Sequence, residues 1–196
     1  SNVQMVGFNL RFHACVKQAK EWLDAGLIGN PIWANFTCAQ FNNKPSYQRD
    51  GVILNWSHEI DLALYLLGPA QVVQSFTRRP DKGPDDMTDI MLLHEDSVSS
   101  SIHLDYLTKP EIRQSIIVGT NATIIMDLVN RNAWLRAADG EIIDHLQSHE
   151  TWNDNYVEEM QAFLDRIDGK QTIGCTGQEG LEVLEICLEV RKLAGL

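Results

Sequence analysis

The sequence predicts an α+β fold: one large, mostly antiparallel sheet with helices packed on one face. Three observations predict it. An amphipathic helical pattern lies near the start of the chain, a long run of period-two segments fills the middle, and two helical patterns close it. Because the alternating segments are apolar on one side and polar on the other, the sheet is expected to bury one face only. Residues 1–196 are expected to form a single domain.

The first helix is predicted from Phe12 to Gly26, where apolar residues recur at spacings of three and four and a glycine closes the pattern. A strand-like apolar run from Val3 to Phe8 precedes it, and a β-rich stretch from Ile32 to Phe41 follows it. A second helix is predicted from about Asn55 to Leu67, because Gly68-Pro69 is a strong stop signal.

Residues 72 to 146 show the alternation of strands, most clearly from Val98 to Tyr106. A capping box formed by Thr151 and Asp154 then predicts a third helix, whose apolar stripe runs from Trp152 to Ile167. A last helix is predicted from about Gln178 to Leu193. This order of elements, with helices before and after the run of strands, predicts that the helices pack on the sheet.

Composition and charge exclude several classes of function. The net charge is -11 and the pI is about 4.9, so nucleic acid and anionic membrane surfaces would be repelled. No apolar run approaches the ~20 residues that cross a bilayer, and the start of the chain lacks a signal-peptide pattern. The four cysteines lie in or beside apolar stretches without C-x-x-C spacing, which is typical of reduced core residues. A cytoplasmic protein is predicted.

Common catalytic and nucleotide-binding motifs are missing from the chain. It contains no G-x-G-x-x-G, no P-loop, no H-E-x-x-H and no G-x-S-x-G. The sequence therefore predicts no metal site and no cofactor-binding residues within this chain, which cannot bind a dinucleotide in the Rossmann manner by itself.

The segment from Asp50 to Asp61 is the most informative part of the sequence. His58, Asp61 and Tyr65 share one helical face, and a histidine near a helix N-terminus is kept neutral and available as a base. Asp61 is expected to hydrogen-bond the far ring nitrogen of His58 and fix its tautomer. Asn55 is expected to be the N-cap of this helix.

A structural role is the alternative for His58, because a lone histidine on a helix is more often structural than catalytic. A partial metal site is a weaker alternative, since no further ligands stand at a suitable spacing. The other histidines show no partner pattern and are expected on the surface or a sheet face: His13, His94, His103, His145 and His149.

Five segments then appear in an order known from one family. They are Val6 to Phe12 with N-x-R-F, Gly26 to Ile32 with G-x-I-G-x-P-I, Asn55 to Leu62 followed by Leu66-Leu67-Gly68, the Gly119 turn, and Gly177 to Leu181. Each is weak alone. Together they cover nearly the whole chain and resemble the C-terminal α/β domain of the glucose–fructose oxidoreductase and inositol dehydrogenase (Gfo/Idh/MocA) family.

The resemblance implies the substrate-binding half of a dehydrogenase. In such enzymes a hydride passes between NAD or NADP and a carbon of a sugar, cyclitol or related polyol. A preceding Rossmann domain, absent from this chain, would hold the cofactor and supply a lysine that shares proton transfer with the residue matching His58. The open sheet face would pair subunits into a homodimer or homotetramer. This chain alone would be inactive.

The resemblance also implies further site residues. Asn9 and Arg11 match the segment along the domain junction and are expected to contact substrate, although a structural ion pair is an equal alternative for Arg11. Apart from the resemblance, the polar composition of the loop with Tyr47 and Arg49 suggests that it borders the pocket, as do the polar positions from Trp152 to Tyr156. Ordinary loop and first-turn residues are the alternative for both segments.

One departure concerns Asn55, which is expected beside His58 and Asp61 in the catalytic group. Many relatives carry aspartate there, and an amide can hydrogen-bond a hydroxyl but cannot accept its proton as a base. Two alternatives to an enzyme therefore stay open: a non-catalytic carbohydrate-binding or assembly module, and a regulatory subunit whose whole function is pairing through the sheet face.

Overall fold

The computed structural model describes residues 3–42, 51–80 and 83–196. These residues contain five α-helices, eight strands and two 3₁₀ turns. The helices are α1 (Ala14–Asp24), α2 (Val52–Asn55), α3 (His58–Leu67), α4 (Trp152–Ile167) and α5 (Gly177–Leu193). The strands are β1 (Pro31–Ala39), β2 (Ala70–Arg78), β3 (Met87–His94), β4 (Ser99–Asp105), β5 (Ile112–Gly119), β6 (Ala122–Asp127), β7 (Asn132–Ala137) and β8 (Ile142–Gln147). The 3₁₀ turns are Asn9–Phe12 and Glu95–Ser97.

The strands form one sheet in the order β2-β3-β4-β1-β5-β6-β7-β8. β1 runs parallel to β4, and the other neighbouring strands are antiparallel. The chain leaves β1 in the middle of the sheet, forms α2 and α3, and re-enters at the edge strand β2. The predicted α+β fold with a mostly antiparallel sheet is confirmed.

One face of the sheet is buried, as predicted. Along β4, Ser100, Ile102 and Leu104 are buried, whereas Ser101 and His103 on the other face are partly exposed. The helices α1, α3 and α5 cover the buried face, with α1 on β6 and β7, α3 on β1 and β4, and α5 on β2. The opposite face, called the open face below, carries no helix from the described residues.

The start of the chain differs from the prediction. Val3 to Phe8 forms no regular strand, only a single bridge in which the Val6 N–H donates to Cys175 O at 2.9 Å. Val6 packs so closely against α5 that a Cβ on Gly180 would lie 2.5 Å from its side chain. The 3₁₀ turn Asn9–Phe12 follows, so the first helix begins at Ala14 rather than Phe12.

The predicted helix from Asn55 to Leu67 is interrupted. Asn55 ends α2 instead of capping a longer helix, and α3 starts afresh at His58. Asp85 fixes the start of α2, because its backbone oxygen accepts from Val52 N at 3.1 Å and its side chain accepts from Ile53 N at 2.9 Å. This long-range contact is not visible in the local sequence pattern.

The third predicted helix is α4, and its capping box is confirmed by the bond from Thr151 N to Asp154 Oδ2 at 2.6 Å. Its apolar stripe, however, faces outward. Trp152, Tyr156, Met160, Leu164 and Ile167 are exposed, while Asn155 and Ala162 are buried. A polar residue and a small one thus occupy the inner side of this helix.

The core lies between the inner face of the sheet and α1, α3 and α5. The four cysteines are buried with free thiols, as predicted. The prediction for His13 is wrong, because this residue is fully enclosed at the N-cap of α1. His94 is almost fully buried too, but it lies on a sheet face as predicted, the inward face of β3. Within the described ranges, no helix combines the length and apolar character needed to span a bilayer.

Candidate functional site

His58 is the first residue of α3 and is half-buried. The Phe8 ring packs edge-on against its imidazole at 5.4 Å between ring centroids. Its Nδ1 is buried and has no hydrogen-bond partner among the described residues. Burial lowers the pKa of His58; Glu59 acts to raise it and Arg113 to lower it, and the net shift is downward. The imidazole is therefore neutral near pH 7, as the sequence predicts, with burial as the main cause.

An apolar groove of about 490 Å³ lies between the segment around Phe8 and Ser57 and helix α5. Phe8 and Ser57 line it next to His58, and Leu54 extends the same wall. Its opposite wall comes from α5, including Gly180 and Leu184. His58 itself is not among the lining residues of this groove, but its ring contact Phe8 and its chain neighbour Ser57 are.

The expected hydrogen bond between Asp61 and His58 is wrong. Both oxygens of Asp61 accept from Arg11: Nε lies 3.2 Å from Oδ1 and 3.0 Å from Oδ2, and Nη2 lies 2.6 Å from Oδ1. Asp61 is 0% exposed and Arg11 2%. Although His58 and Asp61 are three residues apart on one helix, the carboxylate turns to the full charge of the guanidinium, which is the stronger partner.

Arg11 has further contacts within the protein. Its Nη1 donates to Glu179 Oε1 at 2.9 Å, and its guanidinium carbon lies 4.6 Å from the centre of the Tyr65 ring. It thereby joins the 3₁₀ turn Asn9–Phe12 to α3 and α5. The structure thus supports the ion-pair alternative for Arg11 and not the expected contact with substrate.

The other predicted site residues have different surroundings. Asn9 is buried in the 3₁₀ turn, next to Phe8. Asn55 is exposed at the end of α2, and its Nδ2 donates to the Tyr106 hydroxyl at 2.7 Å. Tyr47 and Arg49 lie outside the described residues. The roles of Asn9 and Asn55 in the reaction stay predictions.

A second buried ion pair beside His58 was missed in the sequence. Arg113 donates from Nε to Glu59 Oε1 at 2.7 Å and from Nη2 to Oε2 at 3.1 Å, and Glu59 is almost fully buried. The signal was present, because Arg113 alternates with Ser115 and Ile117 on the inward side of β5, where a charge needs a partner. The two charges of this pair act on the pKa of His58 in opposite directions.

Gly51 is the N-cap of α2, and the structure shows why this position needs a glycine. A Cβ at this position would lie 1.9 Å from Asp85 Oδ1, the side chain that caps α2. A glycine is needed so that Asp85 can reach the backbone just before His58.

Comparisons with known proteins identify the family and the fold of this chain. Residues 16–125 match the family model of the GFO/IDH/MocA C-terminal domain. D-apiose dehydrogenase of Rhizobium rhizogenes is 29% identical over 115 residues, which are 54% of this chain and 33% of that protein.

Solved structures share the fold over nearly the whole chain. Levoglucosan dehydrogenase in complex with NADH and levoglucosan has a TM-score of 0.87 and 19% identity, over 98% of this chain and 64% of that one. UDP-N-acetylglucosamine 3-dehydrogenase of Acidithiobacillus ferrooxidans has a TM-score of 0.79 and 20% identity, over 96% and 60%. This chain thus spans less than two thirds of each relative's own length. The family model covers more than half of the chain, which therefore belongs to the GFO/IDH/MocA family as a C-terminal domain.

Proposed function

We propose that this chain is the substrate-binding half of an NAD(P)-dependent oxidoreductase acting on a sugar, cyclitol or related polyol, with His58 as its acid/base. The observation that carries the proposal is the neutral, half-buried imidazole of His58, whose ring contact Phe8 and chain neighbour Ser57 line an apolar groove. Family membership and the sugar dehydrogenases among the similar proteins support the same reaction class.

The proton chemistry follows from the state of His58. Oxidation of an alcohol removes a hydride from carbon and a proton from the hydroxyl, so the site needs a base. A neutral imidazole accepts this proton near pH 7, and burial keeps it from being protonated beforehand. In the reverse reaction the imidazolium returns the proton.

A nicotinamide cofactor would supply the hydride acceptor. The groove beside Phe8 and Ser57 is mostly apolar, which fits a flat ring better than charged phosphates. The phosphates would be held by a preceding nucleotide-binding domain, which would also contribute a lysine to proton transfer. The greater length of the relatives supports a longer whole protein, and we expect residues 1–196 alone to be inactive.

We further propose a cytoplasmic homodimer or homotetramer that pairs through the open face. Apolar side chains are exposed on this face at Trp33, Phe76, Met91, Leu93 and Ile112. Pairing would remove this apolar area from water, which favours association.

The full-length protein tests the catalytic proposal. We expect His58→Ala to lower turnover by roughly 10²–10⁴ with an unchanged melting curve, because a general base contributes about that factor. His145→Ala, a change at an exposed histidine, is the control and keeps normal turnover. Near-normal turnover in His58→Ala would remove His58 from the mechanism.

One observation favours a second candidate, a carbohydrate-binding or regulatory module without catalysis. The Asn55 amide donates to Tyr106 and cannot serve as the base that an aspartate would provide. This candidate predicts that the full-length protein binds a sugar but forms no NADH or NADPH with it. Cofactor absorbance measured beside sugar binding separates the two.

A further inference from the structure

The outer face of α4 is apolar, and none of the described residues covers it. It consists of five side chains that are between 48% and 59% exposed: Tyr156, Val157, Met160, Leu164 and Ile167. At about 100° per residue they fall within one arc of the helix, and Asn153 is the only other residue within that arc. A surface helix normally turns such an arc toward a core, so a contiguous exposed patch of this kind indicates a contact surface.

The rest of the molecule gives α4 little support. Among the described elements, the 3₁₀ turn Asn9–Phe12 is the one that makes extensive contact with this helix of sixteen residues. Lys17 adds a surface ion pair with Glu158 at 2.7 Å. Because a helix in a protein is stabilised mainly by burying its apolar face, α4 lacks the packing that its own pattern provides for.

The segment from Val3 to Phe8 lies between α4 and α5. On the side of α4, Arg166 Nη1 donates to Gln4 O at 3.1 Å. On the side of α5, a Cβ on Gly177 would lie 2.8 Å from Gln4 Oε1. Ile167, the last residue of the outer face, follows Arg166 in the helix. A domain joined before Val3 would therefore connect to this structure beside one end of the outer face.

We infer that the outer face of α4 is the surface on which the preceding nucleotide-binding domain packs. The inference rests on the proposed function and deepens it, because it names where the two halves of the protein meet. The length of the relatives supports a domain large enough to cover the face. This chain covers 64% of levoglucosan dehydrogenase, so more than a third of that protein lies outside the match.

A second copy of this chain fits the face less well. α4 carries four carboxyl groups and one guanidinium, at Asp154, Glu158, Glu159, Asp165 and Arg166. Two copies packed along α4 would bring like charges together, which opposes association. A domain in the same chain has a further advantage, because its connection keeps it at a high effective concentration and a modest apolar area then suffices.

The contact would also serve the reaction. Phe8, at the far end of the segment that begins at Val3, packs on the His58 imidazole. A domain held both by its connection at Val3 and by the outer face of α4 has a fixed position relative to His58. Without the second contact, the connection alone holds it, and fewer molecules have the cofactor in place for hydride transfer.

Photo-crosslinking in the full-length protein identifies what covers the face. Benzoylphenylalanine is introduced in place of Met160, the protein is irradiated, and peptide mass spectrometry locates the new bond. We expect a bond to residues that precede Ser1 in the same chain. The same replacement at Leu193 is the matched control, since Leu193 is 61% exposed and Met160 58%, and it should form no such bond. A bond from position 160 to a second copy, or no bond to protein, overturns the inference.

A charge on the outer face gives a second test in the full-length protein. We expect Met160→Lys to lower turnover by roughly 10- to 100-fold, because misplacing reacting groups by about an ångström costs on that order. Limited proteolysis should also cut the connection before Val3 faster. Circular dichroism checks that the variant is folded, and Leu193→Lys should leave turnover and proteolysis unchanged. Wild-type turnover and proteolysis in Met160→Lys would overturn the inference.

The inference and the proposed function fail in different experiments. If position 160 crosslinks to the preceding domain while His58→Ala keeps normal turnover, the docking surface stands and the role of His58 is refuted. If position 160 crosslinks to a second copy while His58→Ala abolishes turnover, the docking surface is refuted and the proposed function stands.

Discussion

Arg11 and Asp61 form a buried ion pair in which the guanidinium donates to both carboxylate oxygens, at 2.6 to 3.2 Å. The pair joins the 3₁₀ turn Asn9–Phe12 to α3, three residues beyond His58. Phe8, the residue just before this turn, packs on the imidazole. The ion pair therefore holds together the two segments that flank the candidate base, although neither partner touches it.

We expect Asp61→Asn to destabilise the protein by about 3–5 kcal/mol, because it leaves a buried guanidinium without its main counter-charge. Urea unfolding measures the loss. Glu179→Gln is the control, since Glu179 is 40% exposed and its bond to the same arginine should contribute less than about 1 kcal/mol. Equal losses in the two variants would contradict a dominant role for Asp61.

Because His13 is buried, we expect the folded protein to lose stability in acid. Burial, and then the charge of Arg131, lowers the pKa of this histidine to about 4. In the unfolded chain its pKa is near 6.5, so between about pH 6.5 and 4 the unfolded state binds the proton and the folded state does not. Stability from this residue is present above pH 6.5 and falls toward pH 4, by about 3 kcal/mol in total.

Unfolding free energies measured across this pH range test the effect. His13→Asn is the informative variant, because the His13 side chain accepts from Cys15 N as the N-cap of α1, and asparagine can do the same without titrating. The difference between wild type and variant should vary with pH in this window. A constant difference would show that His13 does not titrate in this way.

A side chain at position 51 would clash with Asp85 close to the candidate site. We expect Gly51→Ala to destabilise the protein by about 1–3 kcal/mol, because its Cβ would displace Asp85 and α2 would lose its cap. Thermal unfolding measures this change. Gly7→Ala is a suitable comparison for stability, since its Cβ would meet nothing closer than 3.9 Å. A Gly51→Ala protein as stable as wild type would show that Asp85 can move without cost.

The open face gives a prediction about assembly. We expect Met91→Lys to shift the full-length protein toward smaller species, because a charge would be buried in the proposed contact between subunits. Analytical ultracentrifugation over a range of concentrations measures the shift. Leu193→Lys, at an exposed apolar residue near the end of α5, controls for the added charge. An unchanged oligomer in Met91→Lys would place the contact elsewhere.

Local patterns predicted much of the fold. The alternation along β4 identified its buried face, and the Thr151 capping box identified the start of α4. Contacts between distant residues were beyond such patterns. Asp61 pairs with a residue 50 positions away, and the start of α2 depends on Asp85. No local rule distinguishes these partners from other charged residues.

The candidate site was predicted in part. The position of His58 at a helix start and its neutral state followed from its neighbours and from the resemblance, and the structure adds a groove lined by Phe8 and Ser57. The inner side of α4 could not be predicted, because the rotation of a helix depends on what it packs against. The apolar stripe suggested that Trp152 and Met160 would turn inward, whereas the contact with the 3₁₀ turn brings Asn155 inward instead.

The central position of β1 has a consequence for folding. Its neighbours β4 and β5 come late in the chain: Trp33 pairs with Ser99 on one side and with Val118 on the other. A chain emerging from the ribosome therefore holds its middle strand without either neighbour until β4, residues 99–105, has been synthesised. Such non-local pairing slows folding. The strands β1 and β4, on which α3 packs, can pair only after this delay.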